Sequence, residues 1–454
     1  MANTNINPFA PTSEVPQGFR IADDLETNSA QWALSARQGM RLKEMASQAQ
    51  PSKVPSLLTF GENSLTNIIY TIDDFMLAHE YVEGSTDNLM FSTDLGKTWT
   101  TVENTYGDIV NAFMFADGTF MMCTKKSEGC RVYWTRDFST FTEATVLDYN
   151  GQPYSMESGK TRFFILWPKS YHTYVDGIEH YLFFDYIIDI TKNPRMWYAV
   201  SDENGVTVRA AFAFGLSSIN GTTLSARHGH GFEYNPNDGY FYALTGDAPS
   251  ECHIIRGRHD ASHVWTWEHL GTGGGYKLVS PAFDGGNMYA VTDYTSESGL
   301  GEMRGVVGIP ITEISKTTLV GSTTMPARLF YLFHATSSFM AQGNTNRNTA
   351  LTGYITDNNG WKFAGTDYLG GTKHMIAKGD HNFVWVDNDV QKKLGRFFGP
   401  NNRGEVYAQP FTPGYSVSGE SWLRISHRQT YNLTEAMRNS GATDFFEGWK
   451  GTLY

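Results

Sequence analysis

The residues best placed to do chemistry are Arg227, His228 and His230, in the run ARHGHGFEYNP, with Asp247 closing the same hairpin. Side chains alternate across a strand, so two histidines one residue apart share a face. Imidazoles titrate near neutral pH and are common metal ligands. Beside an arginine and a carboxylate they suit structural hydrogen bonding, contact with a sugar or an ion, or metal ligation. A metal would need further ligands, and the spacing supplies none, so no metal, cofactor or catalytic residue is assigned. Glycoside cleavage generally needs two carboxylates facing each other across a cleft. The chain has 47 acidic residues and no pattern that pairs them.

These four residues sit on a hairpin, and hairpins recur along the chain. A strand, a tight turn and an aromatic strand appear around Asp73-Asp74, Asp117-Gly118, Asp176-Gly177 and Asp238-Gly239. Weaker copies surround Gly285-Gly286, Ser337-Ser338 and Gly379-Asp380. Two alternating runs joined by a two-residue turn read as a β-hairpin. About seven units of roughly 40–60 residues match the period of propeller blades.

One turn is more specific. FSTDLGKTWT places Ser92, Asp94, Gly96 and Trp99 at fixed offsets after a short apolar strand. The Asp side chain can accept bonds from N–H groups of its own turn. Gly96 allows positive φ, and Trp99 can bury a large apolar area. VYWTRDFSTFTEA repeats the pattern one residue shorter with Thr135, Asp137 and Phe141; RHDASHVWTW spaces Asp260 and Trp265 as Asp94 and Trp99 are spaced. Ser201 to Val208 and Thr356 to Trp361 look like degraded copies. The motif resembles the Asp-box of sialidase-like β-propellers. The resemblance implies an all-β fold, a roughly seven-bladed (six to eight) β-propeller over residues 55–400 with Asp-boxes in the outer hairpins. Residues 401–454 would supply ring-closing strands and a C-terminal cap. Sialidase-like enzymes carry an arginine triad and an Arg-Ile-Pro motif near the first blade; this chain has no such motif there.

Composition agrees with β structure and excludes several partners. Aromatics make up 14% of the 454 residues and there are 45 glycines, a mixture that favours strands and tight turns. The net charge is −12 with no long basic run, so nucleic acid is not an expected partner. No apolar run reaches the ~20 residues of a membrane span, and the N-terminus lacks the regions of a secretory signal. Cys123, Cys130 and Cys252 do not make a disulfide framework, although Cys123 and Cys130 could meet across a hairpin. Loops such as Asp185 to Trp197 and Gly343 to Asn348 carry amides, arginine and aromatics suited to sugar contact.

Residues 22–46 add a second motif, ADDLETNSAQWALSARQGMRLKEMA. Ser35 and Gln38 form a capping-box start with Leu34 before the cap, and Gln38, Leu42 and Met45 share one helix face. So short a helix is marginal alone and is stabilised when copies bury the Leu42/Met45 stripe together. The run resembles a short module of bacteriophage tail-fibre and related virion proteins, matching at Asp24-Leu25, Ala33 to Ala36, Gln38-Gly39 and Leu42-Lys43. The resemblance implies a homotrimeric virion protein, a tail fibre before a head fibre, made in the host cytoplasm. Residues 1–21 would anchor it to other virion proteins, 22–54 would oligomerise, and the propeller would meet a host-surface glycan or receptor. The alternative is a sialidase-like glycosidase or capsule depolymerase, or a propeller that only docks another virion protein.

Overall fold

Runs such as Tyr240–Gly246 (YFYALTG) and Asn287–Thr292 (NMYAVT) are buried at almost every position, not at every second one. A strand reads this way when both faces of its sheet are covered. The computed structural model describes residues between 58 and 425 with gaps, chiefly 98–155, 173–185, 191–284 and 305–334. Leu34, Ser35, Gln38, Leu42 and Met45, the segments 1–21 and 22–54, Gly96 and everything after residue 425 lie outside the described residues. Among the described residues all regular structure is strand or short 3-10 helix, and no helix is long and apolar enough to cross a membrane.

Among the described residues, seven sheets of at least four strands follow one another along the chain, all within one compact unit, Ser56–His427. The first holds Thr66–Ile72, Phe75–Glu80, Asn88–Ser92 and Thr100–Val102 in that spatial order. The second holds Asp108–Met114, Phe120–Lys126, Gly129–Thr135 and Thr142–Glu143. The third runs Phe163–Phe164, Ile178–Asp185, Arg195–Asp202 and Gly205–Ala213; Thr145–Leu147 adds a parallel edge strand to Gly205–Ala213. The fourth holds His228–Asn235, Tyr240–Gly246, His253–His259 and Trp265–Thr272. The fifth holds Leu278–Asp284, Asn287–Thr292, Gly305–Pro310 and Phe330–His334. The sixth holds Ala350–Thr356, Lys362–Asp367, His374–Gly379 and Asn382–Asp387.

The seventh sheet draws on both ends of the described chain. Leu394–Phe398, Val406–Pro410 and Trp422–Ile425 are joined by Leu58–Phe60, which pairs antiparallel with Trp422–Ile425. First strands of successive sheets touch: Thr66–Ile72 meets Asp108–Met114, His228–Asn235 meets Leu278–Asp284, and Ala350–Thr356 meets Leu394–Phe398. The apolar clusters lie between sheets, not within them. One joins the first three through Leu77, Phe113, Phe120, Tyr181 and Trp197; another joins the third and fourth through Tyr198, Phe212 and Phe241; a third joins the fourth and fifth through Tyr242, Met288 and Ile309. Consecutive four-stranded meanders packed face to face, with neighbouring first strands and an early strand completing the last sheet, make a β-propeller.

Three hairpin turns fall elsewhere than the sequence suggests. Phe330–His334, expected to begin the Ser337-Ser338 hairpin, is the fourth strand of the fifth sheet; Ser337 and Ser338 lie outside the described residues. The Gly379-Asp380 turn joins the third and fourth strands of the sixth sheet, and the Thr356–Trp361 turn, expected at an outer corner, joins its first and second. A two-residue turn between alternating strands has one signature wherever it occurs in a meander, so this part of the pattern carries no register. The cysteines are three buried thiols; Cys123 faces Val132, and Cys130 faces Lys125.

Candidate functional site

The three aspartate turns stand between third and fourth strands. Asp94 Oδ1 accepts from the Thr98 N–H at 2.9 Å and from Ser92 Oγ at 2.8 Å, and Oδ2 from Thr98 Oγ1 at 2.7 Å. Asp137 Oδ1 accepts from Ser139 N (2.8 Å), Thr140 N (2.9 Å) and Thr135 Oγ1 (3.0 Å). The N–H groups of Thr140 and Ser139 hold its carboxyl well below the usual range. Asp260 Oδ1 takes the N–H groups of Ser262 (2.8 Å) and Val264 (3.0 Å). Trp99 is half-buried, Phe141 packs on Tyr106 at 5.2 Å, and Trp265 stacks on Trp267 at 4.8 Å. These turns organise backbone and present no reactive group to a ligand.

The Arg227–Asp247 group is different. His228 opens the first strand of the fourth sheet, opposite Gly246, with Asp247 next along the second strand. Gly229 faces Thr245 and Gly231 faces Leu244, so His230 is the extra residue of a bulge. Simple alternation is therefore broken between the two histidines, yet both imidazoles reach one carboxylate. His228 Nε2 lies 3.5 Å from Asp247 Oδ2 and His230 Nε2 lies 3.9 Å from Oδ1. Gly246 makes room: a Cβ there would run into the His230 ring.

Each imidazole is held from behind. Nδ1 of His228 meets the Ile187 carbonyl at 3.0 Å and Nδ1 of His230 meets the Leu278 carbonyl at 3.2 Å. A carbonyl only accepts, so each Nδ1 carries hydrogen and each Nε2 points to Asp247. Both histidines are 4% exposed, whereas the Asp247 side chain is 37% exposed. Burial pushes the His230 pKa down to about 3, reinforced by His228. A hydrogen bond from His228 Nε2, open to the imidazolium that also keeps Nδ1–H, holds Asp247 below the usual carboxylate range against its partial burial.

The fifth sheet supplies residues that spacing alone did not reveal. Lys277 Nζ bridges Asp247 Oδ1 (3.5 Å) and Asp293 Oδ2 (3.2 Å). Burial lowers the Lys277 pKa but the two carboxylates outweigh it, so the ammonium persists. Burial raises Asp293, partly offset by Lys277. Arg227 NH1 is 4.0 Å from Asp247, but its strong partner is Glu251, which accepts from Nε at 2.9 Å and NH2 at 3.1 Å. A readable signal existed. A basic residue precedes the first strand and an aspartate follows the second in both sheets, Arg227/Asp247 in the fourth and Lys277/Asp293 in the fifth.

The Asp185–Trp197 segment, a sugar-contact loop by its composition, is bounded by a buried polar pair. Asp185 and Trp197 are fully buried, and Trp197 Nε1 donates to Asp185 Oδ1 at 2.7 Å. Gly343 to Asn348 lie outside the described residues.

No family model and no curated protein matches the chain. Among solved structures it is similar to a puromycin-hydrolysing peptidase of Mycobacterium tuberculosis at 10% identity and a TM-score of 0.48, over 82% of this chain and 52% of that one. It thus spans about half of that peptidase's length. It is also similar to YCF48 bound to D1 peptide (10% identity, TM-score 0.46, 83% and 96% of the two chains). A third similar structure is virginiamycin B lyase from Staphylococcus aureus (8%, 0.44, 81% and 98%).

Proposed function

We propose that the chain is a binding protein of a tailed-phage virion. Its seven sheets are the blades of one closed propeller, and the first-strand ends of the fourth and fifth blades receive a host-surface glycan or receptor. The observation that carries the reading is the convergence of Arg227, His228, His230, Asp247, Lys277 and Asp293, part buried and part open, where two first strands begin. Preorganised charges of both signs beside imidazoles suit hydroxyl and carboxylate groups of a sugar. The virion assignment rests on the tail-fibre-like module at residues 22–46. That module would bring several propellers together as a trimer, a tail fibre before a head fibre. Multivalency then raises effective concentration at a repetitive surface, so weak single-site affinity suffices.

Purified full-length chain should block adsorption of the particle that carries it to host cells. The Lys277→Met chain should block it at least tenfold less well at equal concentration. Failure of the full-length chain to bind host cells overturns the proposal. Removing residues 1–54 should leave a folded monomer by light scattering; a truncated chain that stays trimeric removes the oligomerising role of the module.

One observation favours an enzymatic reading. Asp247 is shifted down and Asp293 up while they share one ammonium, and carboxylates pushed apart in this way are how acid and base roles are divided. Release of reducing sugar from host polysaccharide, lost in Asp293→Asn, would establish a glycosidase in place of a pure binder.

A further inference from the structure

The geometry points to a divalent transition-metal site formed by His228 Nε2, His230 Nε2 and one Asp247 carboxylate oxygen. Two observations carry it independently. The three donor atoms all lie within 4.8 Å of one another, on side chains contributed by adjoining strands. Both imidazoles are also fixed by Nδ1 contacts with the backbone carbonyls of Ile187 and Leu278. That rear contact sets the tautomer and aims the Nε2 lone pair forward, the usual support of a metal-bound histidine. The sequence offered the two histidines and the aspartate but no reason to think a bulge would converge them.

The distances suit an ion of zinc's size. Ligands at 2.0–2.2 Å in a tetrahedral site stand about 3.3–3.6 Å apart. The donor atoms now lie within 4.8 Å of one another, with His228 Nε2 3.5 Å from Asp247 Oδ2 and His230 Nε2 3.9 Å from Oδ1, so one carboxylate oxygen must make a closure of up to about an ångström to serve both imidazoles. Asp247 is the partly exposed member and has room to make it. Two imidazoles and one carboxylate select zinc, nickel, cobalt or iron over calcium or magnesium, which prefer all-oxygen shells. Three protein ligands leave a position open for water or a ligand oxygen.

Charge permits the ion. Arg227 is engaged by Glu251, and Lys277 divides one positive charge between Asp247 and Asp293. With neutral imidazoles these five ionised groups sum to −1, so a divalent cation reverses a small charge and adds no large excess. Lys277 is the competing cation, and it approaches Asp247 Oδ1, leaving Oδ2 beside His228. The inference deepens the proposed function, because an open position on a metal takes sugar hydroxyls or carboxylates. It stands apart from that reading in its test, which uses no glycan.

Untagged full-length protein, stripped with a chelator, is titrated with Co2+ and then with Zn2+. The expected result is one cobalt per chain with the visible absorption of a four- or five-coordinate ion, displaced by zinc, and a zinc-dependent rise in melting temperature. His228→Gln/His230→Gln should lose both signals. Asp247→Asn, which leaves the buried imidazoles in place, should bind more than about tenfold more weakly. Melting in chelator checks that each variant folds. Absence of both signals in the unaltered protein overturns the site, as does unchanged binding in the double histidine variant or in Asp247→Asn. Loss of host binding with cobalt binding intact would count against the glycan reading and leave the metal in place.

Discussion

Asp185 is a carboxyl held away from water by the core of the third sheet. It accepts from Trp197 Nε1 at 2.7 Å and from the Arg195 N–H at 2.9 Å, while the Arg195 guanidinium is committed to Asp148 at 2.7 and 2.9 Å. Burial therefore prevails over these bonds and raises its pKa to about 7. The folded chain keeps this proton between about pH 4 and 7 while the unfolded chain releases it, so Asp185 makes stability fall as pH rises through that window. Buried imidazoles act in the opposite sense. His180, His230 and His253 are pushed down to about 4, 3 and 4, mainly by burial. Below about pH 6.5 they are protonated only on unfolding, and stability falls with acid. His263 and His269 are lowered in the same way and Asp293 is raised like Asp185, so five groups oppose two, and chemical denaturation between pH 4.5 and 6.5 (about the range separating these pKa values) should show stability rising with pH. Asp185→Asn should steepen that rise. The slope is the readout, since an amide cannot accept from both donors through two oxygens. A variant with the slope of the unaltered chain would show that Asp185 is ionised in the fold.

At the scale of elements, the aspartate turns convert three short segments into corners. Asp94 closes its turn through one N–H and two hydroxyls, so Asp94→Ala leaves the Thr98 N–H to solvent and unties Ser92. A loss of about 1–2 kcal/mol is expected by urea denaturation, by analogy with helix caps and single charged hydrogen bonds. Asp94→Asn should lose less, because one side-chain oxygen remains to accept. The same turns explain what was legible in the sequence. Where Asp94, Asp137 and Asp260 stand, the turn states which strands it joins, and the structure puts each between a third and a fourth strand. Where the box is missing, as around Thr356–Trp361 and Gly379-Asp380, the hairpin was legible and its place in the sheet was not. The site behaved likewise. Arg227, His228, His230 and Asp247 belong to one hairpin and could be read together, whereas Lys277 and Asp293 arrive from the next sheet and Glu251 from the following connection. At the Asp185–Trp197 segment composition could not reveal that the bounding Asp and Trp form a buried bond.

The proposed propeller depends, as a whole, on how its ring closes. Each sheet covers both faces only by packing between two neighbours, so the first and last sheets expose apolar surface unless they meet. Three pairs, Leu58 with Arg424, Thr59 with Leu423 and Phe60 with Trp422, bind the start of the unit to its last sheet. This short strand also covers an edge that would otherwise present free N–H and C=O groups to another chain. Two truncations separate closure from oligomerisation. Removing residues 1–54 keeps Leu58–Phe60 and should leave the melting temperature of the propeller nearly unchanged. Removing residues 1–62 deletes that strand, leaves the last sheet with three strands, and exposes the edge of Trp422–Ile425. The loss should be a few kcal/mol, on the order of 5 °C for a domain of this size. It should be accompanied by a broader transition and concentration-dependent aggregation. Calorimetry and light scattering on the two chains decide the matter. Equal melting temperatures and equal solubility would mean that the proposed ring does not rely on this strand.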